Sequence, residues 1–431
     1  MEKDVNVAII GFGTVGSGLV KLFEKNRPRG INLKVIIVKN LNKKRKVAFS
    51  NLSSDVKEAI ENQGIDIVVE LAGGCNPALE YILSSIKNGK HVVTANKAVI
   101  SEHGMEIFSA AERHNVNIGF EGAVAGAIPI INPLLEQLSF GEIRSITGIL
   151  NGTTNFILTR MSEGMDYSTA LKIAQEKGFA EADPAFDVSG KDAAQKISIL
   201  ASLAFRKWIR PEDVHCEGIT EITPTDIGYA KDLGYAVKLL ASAKKTSAGD
   251  ISMKVNPALI RNDHHLAKVN EEFNAILIEG TPFDEYFNVG KGAGEGPTAF
   301  SVYYDVLKIA DMIRSKKTRK IIFDGPGTKI ADHKKVRTEG YLRLYLSHFP
   351  GALYNALGVL VRHKWNVKSS IQRGGMDNEV IFDGVKCLPN IITHEPLEFG
   401  TIQQTLQELE SLETDKGKPV HGKPFYMRIE N

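Results

Sequence analysis

With 431 residues the chain exceeds what one ordinary hydrophobic core organises, so two or three domains are expected. Lys plus Arg number 53 against 51 Asp plus Glu, a balance that excludes the basic footprint of a nucleic-acid or anionic-membrane binder and leaves a metabolite-handling protein as the expectation. Three cysteines (Cys75, Cys216, Cys387) without a C-x-x-C pair speak against a disulfide framework or a zinc site. With no leader-like N-terminus and no apolar run of membrane-spanning length, they make a cytoplasmic protein the expectation.

Val5 to Ile10 reads as a buried strand that runs directly into Gly11-Phe12-Gly13-Thr14-Val15-Gly16 and then into a helical pattern through Phe23. A G-x-G-x-x-G turn between strand and helix is the fingerprint of a dinucleotide site. Gly11 permits the tight turn, Gly13 lets a pyrophosphate approach the backbone, and Gly16 lets helix and strand pack closely, while free N–H groups at the helix start hold the phosphates. Strand and helix then alternate: strand Leu33 to Val38, a helix near Val56 to Asn62, strand Asp66 to Leu71, a helix near Pro77 to Asn88, strand His91 to Thr94, a helix near Ser101 to His114 and strand Asn117 to Glu121. Five apolar strands separated by helices specify a doubly wound parallel α/β sheet of the Rossmann type.

An NAD site would carry a ribose-binding carboxylate at the end of the second strand. This chain has Lys39-Asn40-Leu41-Asn42-Lys43-Lys44-Arg45 there, and the missing acid and added cations point to a 2'-phosphate, hence to NADP. A solvated basic loop is the alternative reading. Thr94-Ala95-Asn96-Lys97 sets Lys97 at the carboxyl edge of the sheet, where it is expected to reach cofactor or substrate. Cys75, behind Gly73-Gly74, has the position of an activated nucleophile, but no histidine partner stands out in the sequence and an ordinary loop thiol is the simpler reading. Glu121 to Pro129 ends the fifth strand with a carboxylate and a glycine-rich turn, whose carbonyl oxygens would suit a hard cation.

From Ile143 a mixed α/β region follows: strand Ile143 to Leu150, a polar turn Asn151-Gly152-Thr153-Thr154-Asn155, helices Phe156 to Met161 and Ala170 to Lys177, and strands near Cys216 to Thr220 and Ile251 to Ile260 flanking a helix from Tyr229 to Lys244. Inserted in it, the acid-rich stretch Gly178 to Asp187 leads into a helix expected over Val188 to Phe205, with Asp192 and Lys196 four apart on one face. Taken alone, that pair is an exposed ion pair worth roughly a few tenths of a kcal/mol. Gly290 to Thr298 turns into a helix over Ala299 to Ile313, expected to pack back on the nucleotide-binding sheet, and the charged segments Arg314 to Lys320 and His333 to Arg337 mark a linker. Beyond it, strand Tyr341 to Leu346, helix Ala352 to Arg362, strands near Val367 to Ile371, Glu379 to Asp383 and Ile391-Ile392, helix Thr401 to Leu412 and strand Phe425 to Ile429 give a β-α-β-β-α-β order. Such modules are more often sensors or oligomerisation units than catalysts.

Together these motifs resemble homoserine dehydrogenase of the monofunctional kind with a C-terminal ACT domain. The resemblance spans nearly the whole chain. It rests on Gly11 to Gly16, Thr94 to Ala98, the Glu121 loop, Asn151 to Asn155, Gly292-Ala293-Gly294 with Pro297-Thr298-Ala299, Leu342 to Gln372 with Thr393-His394, and above all on the segment from Ala174 through Gly178, Asp183-Pro184, Asp187, Gly190 and Asp192 to Lys196. It implies a Rossmann-type nucleotide-binding domain over 1–135 completed by a helix near 297–320, a mixed α/β substrate and dimerisation domain over 136–296, a ferredoxin-like ACT regulatory domain over 338–431, and a homodimer or homotetramer.

The implied activity is the interconversion of L-homoserine and L-aspartate 4-semialdehyde, with NADP(H) preferred and NAD(H) as the alternative, on the branch to threonine and methionine. By the same resemblance Lys196 is the proton donor and Lys97 contacts cofactor and substrate. Glu181, Asp187 and Asp192 hold the amino acid; Gly11, Phe12, Gly13, Thr14, Val15, Gly16, Lys39, Arg45 and Thr94 hold the cofactor. Glu121 with the carbonyls of Val124, Gly126 and Ile128 matches a sodium site. The ACT domain implies control by an end-product amino acid, usually threonine, although His348 stands where many such domains carry Asp two residues before Pro-Gly.

The residue types suit that chemistry: hydride arriving at an aldehyde carbon builds negative charge on oxygen, which an ammonium stabilises and protonates. Two lysines in one cleft are expected to hold each other's pKa down. The rival readings are aldehyde dehydrogenation through a cysteine nucleophile and a non-catalytic amino-acid sensor built on a nucleotide fold.

Overall fold

The computed structural model describes residues 3–324, 329–373 and 379–430. Two compact units emerge, one drawn from residues 1–152, 191–214 and 272–328, the other from 153–190, 215–271 and 329–431. Among the described residues no helix is long and apolar enough to cross a membrane.

The first unit is built on a six-stranded parallel sheet in the order Leu52–Ser53, Ile31–Ile37, Val5–Ile10, Ile67–Glu70, His91–Thr94, Ile118–Gly119. The chain therefore winds outward both ways from Val5–Ile10, and the switch point lies at the carboxyl end of that strand, where Gly11 follows. Side-chain alternation explains why the strand is apolar at every position but Asn6. Val5, Val7 and Ile9 pack with Leu19, Phe23, Val302 and Val306, while Ala8 and Ile10 pack with Ala59, Ile60 and Val68 on the opposite face. Helices Thr14–Asn26 and Glu295–Arg314 share the first face, joined by Phe23 edge-on to Tyr303 at 5.4 Å between ring centroids. So the late helix does pack on the sheet. The sixth strand, Leu52–Ser53, was not foreseen, because two residues carry no periodicity.

One partly buried base sits in this sheet. His91 Nδ1 accepts the Asn117 N–H at 2.9 Å, and burial, only partly opposed by the Asp66 carboxylate, pulls the imidazole from 6.5 down to about 4. Between those pH values the unfolded chain takes a proton that the folded chain refuses, so stability falls as pH drops. His91→Asn keeps an acceptor without the base. Relative to wild type it is expected to gain up to about 3 kcal/mol as pH goes from 7 to 4, measured by urea unfolding. A difference that does not change with pH would refute this.

The first unit also holds the antiparallel strands Asp284–Lys291, Phe273–Thr281 and Glu142–Ile149, and helix Lys191–Phe205. The expected single helix over Val188 to Phe205 is two pieces, Ala185–Val188 and Lys191–Phe205, separated at Gly190, whose φ of +85 breaks the helix.

In the second unit the stretch Tyr229 to Lys244, expected as one helix, is helix Pro224–Asp232 followed by strand Tyr235–Lys245. Gly234 at φ +83 ends the helix, and full-length antiparallel pairing with Ile251–Arg261 overrides the helical preference of Ala, Leu and Lys. The expected turn Asn151 to Asn155 is likewise mostly helical, since a helix spans Gly152–Ser162. The C-terminal part keeps the expected order: Arg337–Ser347, Ala352–Arg362, Val367–Gln372, Val385–Glu398, Phe399–Glu410, Val420–Glu430, with a short Val380–Phe382 against Val385–Glu398. Its antiparallel sheet runs Val420–Glu430, Arg337–Ser347, Val385–Glu398, Val367–Gln372. Leu342, Leu344 and Leu346 alternate onto the face that also carries Ala356, Val359, Leu360, Ile402 and Leu409 from the two helices.

Candidate active site

A cavity of about 580 Å³ lies elsewhere, in the second unit, but the one at the switch point, about 540 Å³, is the one the nucleotide turn opens into. It is lined by Gly11, Phe12 and Gly13 on one side, by Leu71, Ala72 and Tyr81 on another, and by Lys39, Asn40, Lys43 and Arg45 at the end of the second strand. Gly11 has φ +107, and a Cβ there would stand 2.5 Å from the Leu71 carbonyl oxygen; a Cβ on Gly16 would stand 2.5 Å from the Gly11 carbonyl oxygen. Glycine is thus required at both positions. Nothing lies within 4 Å of a Cβ built on Gly13, the position over which a phosphate would pass. Thr14 and Val15 open the helix, so their N–H groups are among the unpaired donors of its first turn.

Among the described residues, no carboxylate lines this cavity. Arg45 braces its basic loop, donating to the carbonyls of Lys43 at 2.8 Å and Asn40 at 2.6 Å and lying 5.7 Å from the Phe12 ring centroid, while its Nε is buried without a partner. Thr94 is turned elsewhere. Its hydroxyl donates to buried Glu70 at 2.7 Å, and the other Glu70 oxygen accepts the Ala72 N–H at 2.7 Å. Burial pushes the Glu70 carboxyl up against these hydrogen bonds. Glu70 shapes the cavity wall from behind, and its buried-strand surroundings hid it in the sequence.

Lys97 is the first residue of helix Lys97–His114, which starts four residues earlier than its apolar pattern predicts because the Asn96 side chain caps it, accepting the Val99 N–H at 3.3 Å. Across from it stands helix Lys191–Phe205. One Asp192 carboxylate oxygen lies 3.2 Å from the Lys97 ammonium, and the other accepts from Lys196 at 2.7 Å and from the Asn151 amide at 2.8 Å. Lys196 donates a second proton to the Leu150 carbonyl at 2.7 Å.

Asp192 and Lys196 are buried, whereas the Lys97 side chain is 36% exposed. Burial alone would raise the Asp192 carboxyl, but the charges of Lys196 and Lys97 and the hydrogen bonds from Lys196 and Asn151 outweigh it and hold the group at about 2. The two lysines thus do not face each other bare: a carboxylate stands between them. An ammonium has three donors, and the two that Lys196 uses leave the third for an incoming oxygen. Asn151 carried no assigned role in the sequence, where it reads as the first residue of a polar turn.

Glu121 is buried, and its carboxylate is fully engaged. One oxygen accepts the N–H groups of Ile130 at 2.6 Å and Ile131 at 2.8 Å; the other accepts the Asn132 N–H at 2.9 Å and the Asn132 side-chain amide. It caps the helix Ile131–Leu135. The Gly126 carbonyl accepts the Ser301 hydroxyl at 2.7 Å. Behind Glu121, fully buried Asp305 accepts its N–H at 2.7 Å; burial and then the Glu121 carboxylate push Asp305 up to about 7.

Glu181 and Asp187 belong to the second unit, Glu181 exposed and Asp187 half-buried. Cys75 donates to the Glu102 carboxylate at 3.1 Å, and burial, then Glu102, pushes the thiol up to about 11. It is not a thiolate at neutral pH, which leaves the cysteine-nucleophile reading without its reagent.

A family model described as homoserine dehydrogenase matches residues 129–307, and one described as homoserine dehydrogenase, NAD binding domain, matches residues 11–121. Homoserine dehydrogenase from Synechocystis sp. is 39% identical over 434 residues, covering 96% of this chain and 98% of the relative. That of Pseudomonas aeruginosa is 37% identical over 433 residues, covering 97% and 98%. The crystal structure of a homoserine dehydrogenase from Thiobacillus denitrificans superposes with a TM-score of 0.90 at 33% identity over 100% of both chains. A hyperthermophilic archaeal homoserine dehydrogenase mutant in complex with NADPH matches 71% of this chain and 97% of its own, with a TM-score of 0.60 at 30% identity. The glycine turn at the switch point and the Lys97–Asp192–Lys196 cluster thus belong to an NAD(P)-dependent oxidoreductase, and the chain is a member of the homoserine dehydrogenase family.

Proposed function

We propose that this chain interconverts L-homoserine and L-aspartate 4-semialdehyde with NADP(H) preferred over NAD(H), serving threonine and methionine synthesis in the cytoplasm as a homodimer or homotetramer. The observation that carries the reading is the buried cluster in which Asp192 holds Lys196 with one donor to spare. The bound nicotinamide supplies or accepts the hydride. Lys196 gives its third proton to the substrate oxygen in reduction and takes the alcohol proton in oxidation. Asp192 positions Lys196 one helical turn away and fixes Lys97, so its role is orientation more than substrate contact. Lys97, half in solvent, meets cofactor and substrate. Glu181 and Asp187 take the substrate ammonium group, which needs carboxylate partners.

Glu121, with the carbonyls of Val124, Gly126 and Ile128, takes a monovalent cation, of which sodium is the expected one. The C-terminal module acts as an ACT regulatory domain answering threonine, with His348 altering its affinity.

The NADP preference rests on Lys39 and Arg45 in a cavity with no carboxylate among its described lining residues. A hydrogen bond to a charged group contributes about 1.5–3 kcal/mol. Removing both side chains (Lys39→Ala with Arg45→Ala) is therefore expected to lower kcat/KM for NADPH by about a hundredfold or more and leave that for NADH nearly unchanged. Steady-state assays with both nucleotides, with and without threonine, test the whole reading. An enzyme clearly better with NADH overturns the preference, and a flat absorbance trace with aspartate semialdehyde overturns the activity.

A further inference from the structure

Among the described residues, one cluster of metal-ligating side chains lies outside the reaction machinery. Cys75 sits between strand Ile67–Glu70 and helix Ala78–Lys87, just after Gly73 and Gly74 in their left-handed turn, and Glu102 and His103 sit side by side in helix Lys97–His114. The Cys75 sulfur, a Glu102 carboxylate oxygen and a His103 ring nitrogen all lie within 4.8 Å of one another, with Sγ 3.1 Å from Oε2. Tetrahedral zinc takes S, N and O ligands at about 2.0–2.3 Å, which spaces the ligand atoms about 3.3–3.8 Å apart. The Cys75–Glu102 pair, at 3.1 Å, needs to open by only a few tenths of an ångström to reach that spacing. The histidine nitrogen, no more than 4.8 Å from the other two ligand atoms, needs to close by at most about an ångström, a small rotation for a half-buried side chain.

The donor set also selects the ion. A thiolate and an imidazole favour zinc, cobalt or copper, whereas calcium and magnesium want several oxygens and would find one carboxylate. We propose that Cys75, Glu102 and His103 form a binding site for a borderline-soft divalent cation of the zinc class, with a fourth position open to water. On coordination the Cys75 proton leaves to solvent and the sulfur binds as thiolate.

The site also adjoins the cofactor cavity through its own chain. Leu71 and Ala72, four and three residues before Cys75, line that cavity. The Asn96 amide donates to the Gly74 carbonyl at 2.7 Å and caps the helix that begins with Lys97. A metal that ties Cys75 to that helix pins the loop bordering the nucleotide, so zinc is expected to slow turnover reversibly.

The test uses the full-length, reduced enzyme after chelator treatment. Titrated with cobalt, it should develop a thiolate-to-cobalt charge-transfer band at one ion per chain, displaced by zinc. Cys75→Ser should lose the band, Cys216→Ser should keep it, and His103→Ala should weaken zinc at least tenfold. Cys75→Ser should keep NADPH binding and melting temperature, which separates loss of a ligand from loss of the fold, and its turnover should no longer respond to zinc. No band, or a band unchanged in Cys75→Ser, overturns the site; a zinc effect on turnover that persists in Cys75→Ser overturns its link to the nucleotide loop.

Discussion

Lys196→Ala is expected to lower kcat by about a hundred- to ten-thousand-fold while NADPH binding stays within a few-fold of wild type. The nucleotide cavity is lined by residues of the sheet's carboxyl edge, none of them on helix Lys191–Phe205, so its affinity should not depend on this side chain. The variant should also fold. Without Lys196, Asp192 keeps the Lys97 ammonium at 3.2 Å and the Asn151 amide at 2.8 Å, so the buried carboxylate is not left unpaired. Lys196→Arg sharpens the assignment. Its guanidinium keeps the positive charge but does not release a proton near neutral pH, so it should remain impaired if proton transfer matters and recover if charge alone does. Stopped-flow turnover and fluorescence titration of NADPH on both variants decide it. Near-normal turnover in Lys196→Ala removes Lys196 from the chemistry.

The nucleotide half was legible because its signals are local. Val5 to Ile10 is buried on both faces, so the run is apolar at every position but Asn6, and Gly11 and Gly16 stand where a Cβ would collide with backbone 2.5 Å away. The geometry of that turn admits few alternatives. What escaped the sequence is non-local. Tyr235–Lys245 has the composition of a helix and becomes a strand because Ile251–Arg261 pairs with it along its whole length. The glycine-rich loop of Glu121 likewise gives no sign that its carboxylate caps the helix nine to eleven residues on.

The site shows the same division. Asp192 and Lys196 are one helical turn apart, so their pairing was visible, though as an exposed decoration. That the pair is buried, and that Lys97 and Asn151 complete it from 95 and 41 residues away, depends on tertiary packing that no spacing encodes.

The largest stability effect expected from a single change lies far from this chemistry, at Asp226. The residue is fully buried as the third position of helix Pro224–Asp232, where it accepts the Thr223 N–H and hydroxyl, each at 2.8 Å, and so closes the helix start in a capping box. It also accepts the Tyr341 hydroxyl at 2.9 Å and the Arg343 guanidinium, both from strand Arg337–Ser347. That guanidinium lies 5.0 Å from the Tyr345 ring centroid and 4.8 Å from that of Phe425, with its Nε buried and unpartnered. Among the described residues it pairs with no second carboxylate. Asp226→Ala therefore strands a buried cation, a phenol and a helix terminus together, and should cost about 3–5 kcal/mol in urea unfolding.

Asp226→Asn, which keeps an acceptor but not the charge, should cost less. Pairing Asp226→Leu with Arg343→Met removes the cation with its partner and should recover most of the loss, since an apolar pair of similar volume avoids the desolvation of two ions. If the double change is as damaging as Asp226→Ala alone, the hydrogen bonds at the helix start, and not the buried charge, carry the stability of this junction.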